Sequence, residues 1–203
     1  ANSSQKPKVV IDRISNFYET EYSNVGRSVH TLAVKATNRF EATRDLVKKY
    51  MNAAHREEII FTKGATEAIN LVASTYGKKY INKGDEIIIT ELEHHSNYVP
   101  WHFIRSEKEA VIKFAPVNEN GDVEIDEIKK LISNKTKIIA ITHISNVTGA
   151  VLPIKQIVDL AKEKNIPVLI DGTQGAPHAH IDMQNIGCDF YAVSCHKMYG
   201  PNG

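Results

Sequence analysis

The sequence predicts an α/β fold: a three-layer sandwich with a mostly parallel sheet. Two observations predict it. Six short runs rich in Ile and Val recur along the chain, and helix-patterned segments fill four of the gaps between them. Several of these runs, EIIIT and KIIAIT among them, are apolar at successive positions instead of alternating. Strands covered on both faces read that way.

The elements follow in order. Val10, Ile14, Phe17 and Tyr18 recur at helical spacing and predict an amphipathic first helix. A polar stretch, YSNVGRSVHTLA, separates it from a second helix over residues 36–50. Strands are predicted at EEIIF (57–61), DEIIIT (85–90), AVIKFAPV (110–117), KIIAITHIS (137–145), PVLIDG (167–172) and DFYAVS (189–194). Helices are predicted over 66–80, 98–108, 125–132 and 154–164. The turn ENGD introduces the third of these, and Pro153, a favourable first helical residue, introduces the fourth. No internal repeat, low-complexity tract or Gly/Ser linker interrupts the pattern, so one domain is expected over 1–203.

Composition narrows the class. A chain of 203 residues can bury a sizeable core, and 42% hydrophobic with 24% charged residues is ordinary globular usage. A net charge of +1 gives no reason to expect a nucleic-acid or membrane-surface partner. No stretch reaches the roughly 18 uninterrupted apolar residues of a membrane span, and ANSSQKPK has no apolar signal-peptide core. Cys188 and Cys195 form no C-x-x-C repeat or disulfide framework. They read as buried small hydrophobes in a reducing compartment, hence a cytoplasmic or organelle-matrix location.

In parallel sheets, ligands sit at the carboxyl ends of strands, which directs attention to those ends. After EEIIF, the residues Gly64, Ala65 and Thr66 lie where a helix begins, with Glu67 in its first turn. Free N–H groups, a hydroxyl and the helix dipole would suit an anion, although a capped helix without a ligand reads the same way. After DEIIIT comes ELEHHSN. Adjacent His94 and His95 point apart and no third ligand stands at a metal-site spacing, so no metal is expected. One imidazole could stack on a flat ligand, or both could be solvated. SNVTG presents Asn146 with Thr148 close by, and DGTQGAPH presents Asp171 and Gln174. A carboxylate at the end of a buried strand needs a cation or several N–H donors, unless it only caps the strand. Finally SCHKMYGPNG places Ser194, His196 and Lys197 at the last strand end. A desolvated lysine there becomes a nucleophile toward a carbonyl, or else forms a structural ion pair.

Together these groups supply a phosphate site, a stacking ring, a carboxylate and a lysine. Pyridoxal phosphate needs that set: the lysine binds its aldehyde as a Schiff base, and the carboxylate keeps the pyridine nitrogen protonated. GATEAINLV, ELEHHSNYVPW, ITHISNVTGAVLPI, VLIDGTQGAPH and DFYAVSCHKMYGPNG resemble the cysteine desulfurase/selenocysteine lyase family. This is a class V branch of the fold-type I pyridoxal-phosphate enzymes, and the sulfur-mobilisation (Suf-type) group is the nearest likeness. The resemblance covers essentially the whole chain. It implies that Lys197 holds the cofactor, that Asp171 pairs with the ring nitrogen and that Gln174 contacts the ring hydroxyl. It implies further that His94 stacks on the ring with Asn146 near it, and that Thr66, Ser194, His196 and the backbone at Ala65 hold the phosphate. Three departures stand out: Ala65 replaces a second Thr, Cys195 a Gly or Ala, and Gly26-Arg27-Ser28 a His-Arg-Gly.

The implied activity is that of a cysteine desulfurase. Such an enzyme takes sulfur from L-cysteine to an enzyme persulfide, leaves alanine, and supplies iron–sulfur cluster assembly through a sulfur-acceptor protein. A selenocysteine lyase acting on L-selenocysteine, an aminotransferase, or a non-catalytic cofactor-binding fragment are the alternatives. Family members run to roughly twice this length with a C-terminal small domain. Residues 1–203 are therefore expected to be the cofactor-binding large domain, with an incomplete N-terminal segment and without the small domain. A homodimer is expected on the same resemblance. Cys195 is expected on a buried strand, pointing away from Ser194 and His196, so neither cysteine is expected to accept the sulfur.

Overall fold

The computed structural model describes residues 3–26 and 29–202. Of the family departures, Arg27 and Ser28 lie outside the described residues. The chain begins with α1 (Lys8–Asn16), continued by a π-helical turn (Phe17–Glu21), and α2 (Thr31–Met51). The second helix starts five residues before its expected boundary because the His30 side chain accepts the Ala33 N–H and caps it. Next come α3 (Ala65–Val72), a π-helical turn (Ala73–Gly77) and α4 (Lys78–Tyr80), which together fill the expected 66–80 helix.

The alternation then runs β1 (Glu86–Thr90), α5 (His95–Lys108), β2 (Val111–Ala115), α6 (Ile125–Leu131), β3 (Thr136–Thr142), α7 (Ile154–Glu163), β4 (Val168–Asp171), α8 (Gly175–His178), α9 (Met183–Ile186) and β5 (Phe190–Ala192). The sheet order is β2-β1-β3-β4-β5, and every neighbouring pair is parallel. Helices α8 and α9 have no counterpart in the sequence reading. One expected strand does not form: in 57–61, Glu57 and Glu58 belong to a 3₁₀ turn and the remainder pairs with nothing among the described residues. Ile60 is 67% exposed there.

The three layers follow from period-two side chains on doubly covered strands. Ile87, Ile89, Ile138, Ala140 and Leu169 face one way, into a core closed by Ile69 of α3 and Trp101 and Ile104 of α5. Ile88, Ile139, Ile141, Val168 and Ile170 face the other way, onto Ile128 of α6 and Ile157, Val158 and Ala161 of α7. Among the described residues, no helix is long and apolar enough to cross a membrane. Because all strands run one way, their carboxyl ends share one edge of the sheet, where the polar loops collect.

Candidate active site

A cavity of about 380 Å³ opens at that edge. Its lining includes Ala65, Thr66, His94, Asn146, Asp171, Gln174, Ser194, His196 and Lys197. All nine candidates from the sequence thus come together, although they are spread over 133 positions of the chain (65 to 197). Ser96, Thr142, Ile144 and Thr173 complete the wall.

One end of the cavity is the start of α3. Gly64 caps it with φ +145°, a conformation an L side chain rarely adopts, and an added Cβ would lie 3.3 Å from Ser194 Oγ. Ser194 Oγ accepts the Ala65 N–H at 2.9 Å, which ties the helix start to the segment after β5 and leaves the hydroxyl proton free to donate. Thr66 Oγ1 lies 2.9 Å from Ser96 Oγ, so the hydroxyl wall extends to the first turn of α5.

His94 is the N-cap of α5, which explains why that helix begins at His95 and not at 98. The Ser96 N–H donates to His94 Nδ1 at 3.1 Å. A ring nitrogen that accepts from a backbone amide carries no proton in the neutral form, so the proton sits on Nε2. The ring is therefore oriented by its own helix start. His95 is exposed and lies outside the cavity lining.

Asp171 ends β4 and is only 4% exposed. Among the described residues its carboxylate accepts one hydrogen bond, from the Thr173 N–H to Oδ1 at 3.0 Å. A buried carboxylate with one donor keeps unused acceptor capacity, and it faces a cavity that also holds a lysine. The floor below is crowded. His143 Nδ1 and the Tyr191 hydroxyl are 2.8 Å apart, and a Cβ on Gly172 would fall 2.0 Å from the Tyr191 ring. Burial holds His143 below the ordinary histidine range and raises Tyr191.

Lys197 closes a 3₁₀ turn (Cys195–Lys197) just beyond β5. The N-terminal segment straps this turn. Ser4 N–H and Lys6 Nζ donate to the His196 carbonyl at 3.0 and 2.8 Å, and Ser4 Oγ accepts from the Tyr199 N–H at 2.8 Å. Tyr199 needs the support, since it holds φ at +61°. The strap escaped sequence reasoning because its contacts join residues some 190 apart.

Glu93 also escaped it. Its Oε1 accepts from Thr90 Oγ1 at 2.6 Å and from the Thr142 N–H at 2.9 Å, and its Oε2 accepts from Asn97 Nδ2 at 2.6 Å. Burial pushes the Glu93 carboxyl up to about 7 against those donors, and the charge of Asp171 adds to the rise.

The cysteines correct one expectation. Cys195 lies past the end of β5, in the 3₁₀ turn, and is exposed instead of buried on a strand. The strand stops at Ala192, three residues before it, so the alternation does not extend that far. Its side chain stays out of the cavity lining even so, while Ser194, His196 and Lys197 contribute to it. Cys188 packs against the core, and burial pushes its thiol up to about 12.

The chain matches the aminotransferase class-V family model over residues 1–203. It belongs to that family. A relative from Halalkalibacterium halodurans, a probable cysteine desulfurase, is 46% identical over all 203 residues, which make up 50% of that protein. Among solved structures, the cysteine desulfurase CsdA from Escherichia coli superposes with a TM-score of 0.90 at 37% identity, covering 99% of this chain and 50% of its own. SspA in complex with cysteine matches with a TM-score of 0.92 at 27% identity, over 99% of this chain and 57% of that one. The chain thus spans 30% to 50% of the length of the curated relatives it matches.

Proposed function

We propose that a protein carrying this chain is a pyridoxal-phosphate-dependent cysteine desulfurase, with residues 1–203 as its cofactor-binding large domain. One observation carries the reading: a lysine and an under-donated buried carboxylate line the same cavity as the start of α3 and the hydroxyls of Thr66 and Ser194. These residues fit the cofactor chemically. Lys197 would hold its aldehyde carbon, and Asp171 its ring nitrogen through the unused acceptor capacity. Gln174 would reach the ring hydroxyl, and His94 would cover one ring face with Asn146 beside it. Thr66, Ser194 and His196 would hold the phosphate beside the backbone at Ala65, whose N–H orients the Ser194 hydroxyl so that its proton is free to donate. When bound, the cofactor supplies an electron sink for the substrate α-carbon.

In the overall reaction L-cysteine loses its Cβ–S bond. The sulfur passes to an enzyme thiol as a persulfide, and Cβ takes up a proton to give alanine. His94, with its proton on Nε2, can donate at the cavity face. The Lys197 amine, which lines the same cavity, would move the α-proton. The persulfide sulfur would then go to an acceptor protein for iron–sulfur cluster assembly. The named relatives support L-cysteine as substrate. On this reading the acceptor thiol lies outside this chain, supported by the burial that holds Cys188 protonated and by the absence of Cys195 from the cavity lining. A homodimer in the cytoplasm or an organelle matrix completes the reading. Light scattering on the longer protein showing only monomer would remove the dimer.

Titrating the chain with pyridoxal phosphate tests the site. Wild type should develop the visible absorbance of a lysine-bound cofactor, and Lys197→Ala should lose it; the same spectrum in both would refute the assignment. Asp171→Asn keeps the volume and should slow α-proton exchange of bound amino acid by orders of magnitude. Equal exchange rates in the two proteins would remove Asp171 from that role. The 203-residue chain with L-cysteine should make no more than stoichiometric alanine. Many equivalents per chain, lost in Cys195→Ser, would place the acceptor thiol here after all.

A further inference from the structure

We infer that Glu93 is a positioning residue that sets the spacing between His94 and Asp171, a role that rests on the cofactor reading above. The carboxylate gathers donors from three elements: Thr90 at the end of β1, Asn97 in the first turn of α5, and the backbone of Thr142 at the end of β3. His94 is the next residue in the chain and caps the same helix. Thr142 is the ladder partner of Asp171. One side chain therefore joins the carrier of the stacking ring to the carrier of the ring-nitrogen carboxylate. A flat ring held between them needs that gap fixed to about half an ångström.

Hydrogen-bond chemistry shows that the site is built for an acceptor. Trp101 Nε1 can only donate, and it donates to Asn97 Oδ1 at 3.1 Å, so the Asn97 amide must turn its NH₂ toward Glu93. Thr90 Oγ1 accepts the Leu92 N–H at 3.2 Å, which leaves its proton for Glu93. The Thr142 amide donates to Glu93 as well. Asn97 and Trp101 are fully buried, so neither can be replaced by water without loss.

This arrangement permits a charge-swap test. Glu93→Gln places an NH₂ against a donor, and Asn97 cannot turn to relieve the clash. Adding Asn97→Asp restores every bond. The new side-chain amide at position 93 then accepts from Thr90 and Thr142 through its oxygen. Its NH₂ donates to the new carboxylate at position 97, which still accepts from Trp101. A carboxylate there also suits the third residue of a helix.

Pyridoxal phosphate and inorganic phosphate affinities would be measured on the 203-residue chain as wild type, Glu93→Gln and the double variant. For Glu93→Gln we expect pyridoxal phosphate affinity to fall ~10-fold or more, the effect of one buried unpaired donor, with phosphate affinity unchanged. The double variant should return to within about threefold of wild type. Unchanged binding in Glu93→Gln would overturn the inference. So would a parallel loss of phosphate binding that the double variant does not repair, or a folded double variant that remains weak, since the charge and not the spacing would then matter. Wild type binding phosphate but never pyridoxal phosphate would instead bring down the cofactor reading, and this inference with it.

Discussion

Residues 57–61, EEIIF, and β1, EIIIT, share their ingredients: acidic residues at the start, two or three isoleucines, and a helix following within a few positions. In β1 every residue is buried, with β2 on one side and β3 on the other. In 57–61 Ile60 and Phe61 are exposed and no ladder forms among the described residues. The same contrast separates larger regions. Strands β1, β3 and β4 are buried along almost their whole length, whereas α1 buries no residue at all and α2 buries only Ala33, Ala36 and Met51. An apolar run states that a face needs a partner; a strand exists only where the chain supplies one.

The contrast is broken first by deletion of side-chain volume. Ile88 has no surface in contact with water and packs between the sheet and the α6–α7 layer. Ile88→Ala should cost ~2–5 kcal/mol in denaturant unfolding. A loss below about 1 kcal/mol would mean that this core repacks freely, against the close-packed picture drawn for it.

Much of the fold was legible because doubly buried strands have no polar face to confuse the pattern; β4 falls inside its expected limits, and β3 starts one residue early and stops three short of its own. The candidate site was legible because parallel strands end at one edge, so Lys197, Asp171 and His94 could be grouped without knowing any distance. Glu93 was not, since a glutamate in ELEHHSN reads as a solvated loop residue until Thr142 and Asn97 are brought to it by the fold. Cys195 misled for the opposite reason: alternation was extended past Ala192, where the backbone had already turned toward a 3₁₀ helix.

A smaller effect separates the two regions by pH. Glu93 rises from an unfolded value of 4.5 to about 7, mainly through burial. A carboxyl whose pKa is higher in the folded state contributes stability that is present below the unfolded value and lost as pH rises through 4.5 to 7. Wild type should therefore lose on the order of 2 kcal/mol across that window relative to Glu93→Gln. His143, held below its ordinary range by burial, tilts stability the other way, but it does so in both proteins and cancels in the difference. Parallel pH–stability curves for the two proteins would show that Glu93 titrates as an ordinary surface acid.

The smallest effect is expected at the exposed member of the first comparison. Ile60 has most of its surface in water already, so Ile60→Ala removes little burial and leaves no cavity. Its cost should be below ~0.5 kcal/mol at low protein concentration, against the several expected for Ile88. Concentration is the informative variable. If 57–61 finds its partner in a second copy, the cost of Ile60→Ala should grow as wild type is stabilised by association, because mass action adds the lost contact only when the assembly forms. A cost that matches Ile88→Ala at every concentration would mean that the segment is covered within the chain, and the distinction between a run that is a strand and one that is not would fail at this position.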